Sequence, residues 1–220
     1  MKIHRIFIDL NMGGQKDYNF FCENKVKQYC EKYNHEYIFW DDNKCLELLN
    51  KYPQYKPLYD SFKYGIMKVD FMRWLVLYEE GGLYIDCDII INTDTIDTTE
   101  DIGFLTYLDK PLLDNGILYS KKNNNNIILF FEEVKINIEE KNQLPIYDTW
   151  KARYVFQTIG HRAVMRFFKN IRKNHYRALS PENIGKDYTT EDMNNLIEKC
   201  KNNDFIILQS FTWLKPLSKK

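Results

Sequence analysis

The chain has 220 residues, of which 44% are hydrophobic, and its 31 basic residues balance its 31 acidic residues. This length suits one domain with a sizeable hydrophobic core. A formal net charge of zero argues against a generic nucleic-acid-binding protein, because such proteins carry a basic excess.

Membrane segments and disulfides are not expected either. No run of about 18 apolar residues occurs, so the sequence predicts no transmembrane helix. The apolar stretch at the N-terminus is too short for a signal peptide. Five cysteines, an odd number without C-x-x-C spacing, favour reduced thiols over a disulfide framework or a zinc site. We therefore expect a cytoplasmic protein.

The N-terminal part of the chain predicts a β-α-β unit. Lys2–Asp9 alternates like a central strand, Tyr18–Tyr33 has helical spacing, and His35–Trp40 is a second strand. Elements in this order form a parallel pair with a right-handed crossover. Between the first strand and the helix, Asn11–Gly14 is either a glycine loop that lets the backbone approach a ligand or a simple turn.

The second strand ends in residues that suit a nucleotide. Ligands of open α/β sheets bind at the carboxyl ends of the strands. Trp40 could stack on a base there, and Asp41 could accept a hydrogen bond from a base N–H. Alternatively, Asp42 caps the following helix and Trp40 packs in the core.

An amphipathic segment begins at Met67. Its apolar residues recur every three or four positions, as in the stripe of a half-buried helix. Asp70 and Arg73 are three residues apart and share one face of that helix. On an exposed helix this spacing would simply form a surface ion pair.

Two carboxylates follow the helix. Gly81 and Gly82 can take the left-handed conformation that ends a helix, and Leu83–Asp86 is predicted as a strand. Side chains alternate along a strand, so Asp86 and Asp88 would point the same way. Neighbouring carboxylates repel unless a cation lies between them, and Mg²⁺ or Mn²⁺ takes carboxylates together with phosphate oxygens. The pattern indicates a metal ion that binds a diphosphate, although a D-x-D pair alone is more often a solvated turn.

The rest of the chain predicts further elements. The predicted helices are Asn43–Tyr52, Leu58–Tyr64, Ile127–Glu140, Ala163–Ile171 and Thr189–Lys201, and the predicted strands are Ile89–Ile91, Gly103–Leu108, Leu112–Ser120 and Phe205–Leu208. Asn115 and Gly116 lie within a predicted strand but could instead form a hairpin turn. A basic stripe, either a solvated face or a site for an anionic acceptor or a lipid surface, comprises Arg162, Arg166, Lys169 and Lys173.

The combination of D-x-x-R with G-G-x-Y-x-D-x-D, from Asp70 to Asp88, resembles the DXD-containing glycosyltransferases. These include the yeast-type initiating α-mannosyltransferases, the capsular-polysaccharide sugar transferases and, more distantly, the clostridial glucosylating toxins. Ile3–Phe7, Phe39–Asp42, Asp114–Leu118 and Gln209–Trp213 resemble further family segments. The match of Gln157–His161 to the family's T-G-P stretch is loose because the proline is missing.

The resemblance implies a single GT-A-type α/β domain, with a Rossmann-like, mixed but mostly parallel sheet flanked by helices. Its nucleotide-binding half would be about 1–92 and its acceptor-side half about 93–220. It also implies a Mn²⁺ or Mg²⁺ cofactor and a nucleoside-diphosphate sugar donor, with a UDP-sugar favoured and a GDP-sugar possible. The sugar would pass, with retention of anomeric configuration, to a hydroxyl on a glycan, lipid or protein.

Roles for individual residues follow from the same resemblance. Asp88 and Asp86 would bind the metal, with Gln209 in the place of the family's histidine as an uncertain third ligand. Asp88, Asp86 and Asn115 would carry the catalytic site. The donor-binding set would be Phe7, Ile8, Trp40, Asp41, Asp70, Arg73, Asp86, Asn115 and Trp213.

Two other classes of function stay open. One is a metal-dependent phosphoesterase or nucleotidyltransferase, although such sites usually need more acidic or histidine ligands than these four scattered histidines offer. The other is a non-catalytic sugar-binding protein on the same fold. Metal-dependent binding of nucleotide separates the transferase from the sugar-binding protein.

Overall fold

The structure is a computed structural model that describes residues 1–9, 14–106, 113–146, 151–170, 174–175, 178–179 and 188–208. The helices are α1 Asp17–Lys32, α2 Asp42–Asn50, α3 Lys56–Asp60, α4 Gly65–Glu80, α5 Asn125–Asn142, α6 Lys151–Thr158, α7 His161–Phe167 and α8 Thr190–Lys199. The strands are β1 Lys2–Ile6, β2 Glu36–Trp40, β3 Gly82–Ile85, β4 Ile89–Ile91, β5 Ile102–Thr106, β6 Leu113–Ser120, β7 Asn174–His175, β8 Ala178–Leu179 and β9 Phe205–Ile207.

The central sheet has six strands in the order β2-β1-β3-β6-β5-β7. β1 pairs in parallel with β2 and β3, and β5 pairs in parallel with β7. β6 is antiparallel to both of its neighbours, β3 and β5. This mixed, mostly parallel sheet flanked by helices confirms the predicted fold class. A second, three-stranded sheet has the order β4-β9-β8.

α4 is the central helix of the core. Ten of its sixteen residues are buried, in an almost continuous run from Met67 to Leu77. The expectation of a half-buried stripe is therefore wrong, since a helix that is covered on all sides needs apolar residues all round. Trp74 stacks on Phe168 with ring centroids 5.3 Å apart, and Phe71 packs on Phe131 at 4.5 Å.

The glycine pair between α4 and β3 acts as predicted. Gly81 and Gly82 have φ of 65° and 99°, values that residues with a Cβ rarely adopt. A Cβ on Gly82 would lie 2.4 Å from the Lys2 carbonyl oxygen, and a Cβ on Gly81 would lie 2.7 Å from the Lys122 nitrogen. The pair therefore ends α4 and brings β3 directly against β1.

Several predicted boundaries are wrong. β1 ends at Ile6 rather than Asp9. The helix expected at Leu58–Tyr64 is α3, which starts earlier, with Pro57 in its first turn, and ends at Asp60. α6 was not predicted. Asn115 and Gly116 lie inside β6, not in a hairpin turn.

The predicted basic stripe is also not a continuous solvated face. α7 ends at Phe167, so Lys169 lies beyond the helix. Arg166 donates to the Asn137 and Gln157 side chains, which ties it to α5 and α6. Lys173 lies outside the described residues. None of the described helices is both long and apolar enough to cross a membrane.

His4 makes the fold sensitive to acid. The Trp40 indole N–H donates to His4 Nδ1 at 3.1 Å, and His4 Nε2 donates to the Gly81 carbonyl at 2.7 Å. This arrangement needs the neutral ring, and burial lowers the pKa of His4 to about 4.

We expect the free energy of unfolding to fall by about 3 kcal/mol through His4 as the pH drops from about 6.5 to about 4. Above this window the ring is neutral in both states, so its contribution is fully present. Within the window the unfolded chain binds the proton first, and stability is lost. Urea denaturation across this range should show a flatter profile for His4→Phe than for wild type. Equal slopes in wild type and His4→Phe would contradict the assignment.

Candidate active site

The D-x-D residues lie in a turn at the carboxyl end of β3. β3 ends at Ile85, and the Ile89 N–H donates to the Asp86 carbonyl at 3.2 Å, which closes the turn over residues 86–88. The prediction that Asp86 and Asp88 point the same way as residues of one strand is therefore wrong, because the residue pairs of β3 end at Tyr84 with β1 and at Ile85 with β6. The Asp86 N–H donates to the Gly116 carbonyl at 2.8 Å and fixes where the turn begins.

A buried ion pair lies beside this turn. Asp70 and Arg73 on α4 are 4% and 3% exposed, and Arg73 Nη2 lies 3.0 Å from Asp70 Oδ1. The same Nη2 lies 3.4 Å from Asp86 Oδ1. The alternative of an exposed surface ion pair is thus excluded. The guanidinium joins the helix carboxylate to the turn carboxylate.

Asn115 completes the connection between α4 and the sheet. Its Nδ2 donates to Asp70 Oδ1 at 3.2 Å, and its carbonyl accepts a hydrogen bond from Arg73 Nη1. The register between β5 and β6 moves from Phe104 opposite Leu118 to Leu105 opposite Asp114. Residues 115–117 therefore form a bulge, which is how strands near active sites often redirect a side chain.

Tyr84 is a site residue to which the sequence patterns assigned no role. Its hydroxyl donates to Asp86 Oδ1 at 2.5 Å, and its ring lies 4.9 Å from the Arg73 guanidinium carbon. Burial raises the pKa of Tyr84 well above its usual value, so the hydroxyl keeps its proton and stays a donor. The sequence did contain one signal for Tyr84, because the tyrosine of the G-G-x-Y-x-D-x-D pattern lies two residues before Asp86.

Burial also dominates the electrostatics of Asp70. Loss of solvent raises the pKa of this carboxyl, whereas Arg73 and the Asn115 amide act in the opposite direction. A buried carboxylate of this kind is held in its charged form only by its partners. Asp70, Arg73 and Asn115 therefore depend on one another.

The donor set suits a hard divalent cation. Asp86 and Asp88 are partly buried and offer carboxylate oxygens, which Mg²⁺ and Mn²⁺ prefer. In the part of the chain that the structure describes, no three His, Cys, Asp or Glu side chains form a metal-binding group. Two carboxylates fit a cation of this type, since it usually keeps water and phosphate oxygens in its other positions.

The nucleotide-side candidates lie where β1 and β2 end. Phe7 is partly buried and Ile8 is 8% exposed, and the Phe7 N–H donates to the Trp40 carbonyl at 3.0 Å. Trp40 is itself 8% exposed and bonded to His4, as the core alternative expects. Asp41 caps α2 by accepting from the Lys44 N–H at 2.9 Å. The expectation that Asp42 is the cap is wrong.

Not all of the sequence-based candidates lie within the described residues. Gln209 and Trp213 lie outside the described residues, as does most of the glycine loop Asn11–Gly14. Leu208 is the last residue described before Gln209, and its N–H donates to the Asp88 carbonyl at 3.0 Å. The described chain therefore stops directly beside the D-x-D turn.

The comparisons with known proteins match parts of the chain. Residues 16–104, which include α4 and the D-x-D turn, match the family described as "Glycosyltransferase sugar-binding region containing DXD motif". Inositol phosphoceramide mannosyltransferase 3 of Schizosaccharomyces pombe is 37% identical over 60 residues, which are 27% of this chain and 17% of that protein. An uncharacterized glycosyltransferase of Acanthamoeba polyphaga mimivirus is 31% identical over 139 residues, which are 60% of this chain and 54% of that protein.

One solved structure is similar to this chain in its fold. The PaToxG glycosyltransferase superimposes with a TM-score of 0.56 and 18% identity, over 77% of this chain and 69% of that chain. The chain spans less than two thirds of the yeast and viral relatives, since the matched regions are 17% and 54% of their lengths.

Proposed function

We propose that this chain belongs to the DXD-containing glycosyltransferases, whose sugar-binding region matches residues 16–104. In this proposal it transfers a sugar from a nucleoside-diphosphate sugar to a hydroxyl group. The observation that carries the proposal is the buried network in which Arg73 joins Asp70, Asn115 and Asp86 at the carboxyl end of β3. Such an edge of an α/β sheet is where ligands bind.

In this proposal Asp88 and Asp86 hold Mn²⁺ or Mg²⁺. Asp70, Asp86 and Asp88 carry three negative charges and Arg73 and Arg5 carry two positive charges, so the site keeps a net negative charge that a divalent cation offsets. When bound, the cation supplies Lewis-acid stabilisation to the diphosphate leaving group. Tyr84 and Arg73 hold Asp86 in place through its Oδ1, so the carboxylate needs little reorganisation when the donor binds.

The donor sugar would lie against Asn115 and the turn. Asn115 is partly buried, whereas Asp70 and Arg73 are almost fully covered. Asp70 and Arg73 would therefore orient the sugar chiefly because they hold Asn115 and Asp86 in place. They would contact the sugar directly only through the small exposed parts of their side chains. This positioning aligns the anomeric carbon for attack by the acceptor hydroxyl.

The nucleotide would lie along the ends of β1 and β2. Phe7, Ile8, Trp40 and Asp41 are brought together there by the parallel pairing that ends at Ile6 opposite Trp40. Uridine is favoured over guanosine as the base by analogy with other GT-A enzymes. Residues 93–220 would supply the acceptor side of a single domain, which is consistent with one central sheet that uses strands from both halves.

The C-terminal residues complete the proposed site. Gln209 is proposed as a further metal ligand and Trp213 as a cover over the diphosphate. The support is the hydrogen bond of the preceding Leu208 to Asp88. A cytosolic setting is also proposed, supported by the five free cysteines. Imaging of the tagged full-length protein tests that location.

Metal-dependent nucleotide binding is the decisive test. We expect calorimetric titration to show that UDP binds with Mn²⁺ present and at least about tenfold more weakly in EDTA. A panel of UDP- and GDP-sugars, assayed by nucleotide release, then identifies the donor. NMR of the product should show the anomeric configuration of the donor.

Other outcomes select the other classes of function. Sugar binding without any nucleotide requirement would favour a non-catalytic sugar-binding protein. Release of phosphate rather than nucleoside diphosphate would favour a phosphoesterase. Inversion at the anomeric carbon would remove the retaining mechanism and leave the transferase assignment in place.

A further inference from the structure

The backbone of the D-x-D turn is anchored from three distant segments. The Asp86 carbonyl accepts from Arg5 Nη2 at 3.3 Å, and the Cys87 carbonyl accepts from Asn19 Nδ2 at 3.2 Å. The Asp88 carbonyl accepts from the Leu208 N–H at 3.0 Å. Three consecutive carbonyls are thus each held by a donor from another part of the chain.

Both polar atoms of the Asn19 side-chain amide form hydrogen bonds. It lies in the first turn of α1 and is 7% exposed. Its Oδ1 accepts from the Lys16 N–H at 2.8 Å, and its Nδ2 donates to the Cys87 carbonyl. Lys16 is the residue directly before α1. One side chain therefore links the start of α1 to the D-x-D turn.

Arg5 is a buried cation directly behind the turn. It lies on β1, is 1% exposed, and has no carboxylate within ion-pair distance among the residues that the structure describes. Burial of a guanidinium without a counter-ion is costly. Its Nη2 contact with the Asp86 carbonyl puts its positive charge next to the segment that presents Asp86 and Asp88.

We propose that Asn19 and Arg5 are positioning residues that set the geometry of the D-x-D turn for its cation, an inference that rests on the proposed function. Neither side chain is a metal ligand. They act through the Cys87 and Asp86 carbonyls, which fix the turn from which the two carboxylates project. Groups that orient ligands in this way typically change metal affinity about tenfold or more when removed.

Paired asparagine variants test the proposal. Asn19→Ala is compared with Asn137→Ala, because Asn137 is another buried asparagine, 3% exposed, whose Nδ2 donates to the Thr158 carbonyl away from the turn. We expect Asn19→Ala to bind Mn²⁺ about tenfold more weakly by electron paramagnetic resonance, with UDP present. Asn137→Ala should stay within about twofold of wild type.

Measurements of turnover distinguish a positioning role from simple destabilisation of the fold. For Asn19→Ala, the Mn²⁺ concentration that gives half-maximal turnover should rise about tenfold, while the rate at saturating Mn²⁺ stays near wild type. A purely structural defect would lower the rate at every metal concentration and would appear in both asparagine variants. Thermal melts establish the folded fraction of each.

Arg5→Lys is the second variant. It keeps the positive charge but loses the planar fork that reaches the Asp86 carbonyl, so we expect a similar weakening of Mn²⁺ binding. If Asn19→Ala does not fold, the Mn²⁺ affinity of Arg5→Lys provides the test. Wild-type Mn²⁺ affinity in both folded variants would overturn this inference but not the proposed function. Absence of Mn²⁺-dependent UDP binding by the wild-type protein would instead overturn the proposed function.

Discussion

Asp88→Asn is expected to lower metal-dependent donor turnover by about 100- to 1,000-fold, the usual effect of removing a group that stabilises the charge of a transition state. The substitution keeps the shape of the side chain but removes its charge, and so weakens the hold on a hard cation. The fold should stay intact, because the backbone bond of Asp88 to Leu208 does not depend on the carboxylate. Nucleotide release from a UDP-sugar with Mn²⁺, together with a thermal melt, provides the measurement.

A matched aspartate provides the control. Asp94 is exposed and contacts Lys32 at 3.4 Å, so Asp94→Asn should leave turnover near wild type. Gln209→Ala should have a smaller effect than Asp88→Asn, mainly on the Mn²⁺ concentration that turnover requires, because a neutral amide is a weaker ligand than a carboxylate. Wild-type turnover by Asp88→Asn would show that Asp88 does not bind the metal.

Local sequence patterns predicted the elements around this site well. The apolar spacing of α4, the two glycines and the short strand β3 are all readable because each depends on neighbours within one or two turns. What the pattern missed is where β3 stops. The strand ends when pairing with β1 and β6 ends, and that depends on residues far away in sequence.

The site itself was only partly predictable for the same reason. Asp70 and Arg73 share a helix face, so their contact follows from spacing, but their burial depends on the sheet that covers them. Asn115 was identified through a resemblance, and its contact with Asp70 spans 45 residues. Arg5 and Asn19 reach the turn across 81 and 68 residues, a contact that no local pattern encodes.

Arg73→Met is expected to lower the free energy of unfolding by about 3–5 kcal/mol, the usual cost of leaving a buried charge without its partner. Asp70 would then be almost fully buried with only the Asn115 amide as a described side-chain partner. Asp70→Asn should cost less, since Arg73 still contacts Asp86 and the Asn115 carbonyl. Denaturation with guanidinium chloride measures both values. Lys121→Met, which breaks an exposed pair with Asp101, should cost far less than Arg73→Met.

The double variant separates the two roles of the pair. Asp70→Asn combined with Arg73→Met removes both charges, so its destabilisation should be at least about 1 kcal/mol smaller than the sum of the single values. An additive result would mean that the two residues do not stabilise the fold as an ion pair. Turnover should not recover with stability, because the double variant still lacks the guanidinium that holds Asp86 and Asn115. If turnover did recover in step with stability, Arg73 would contribute to folding alone, and the donor would have to be oriented by the turn and Asn115 without it.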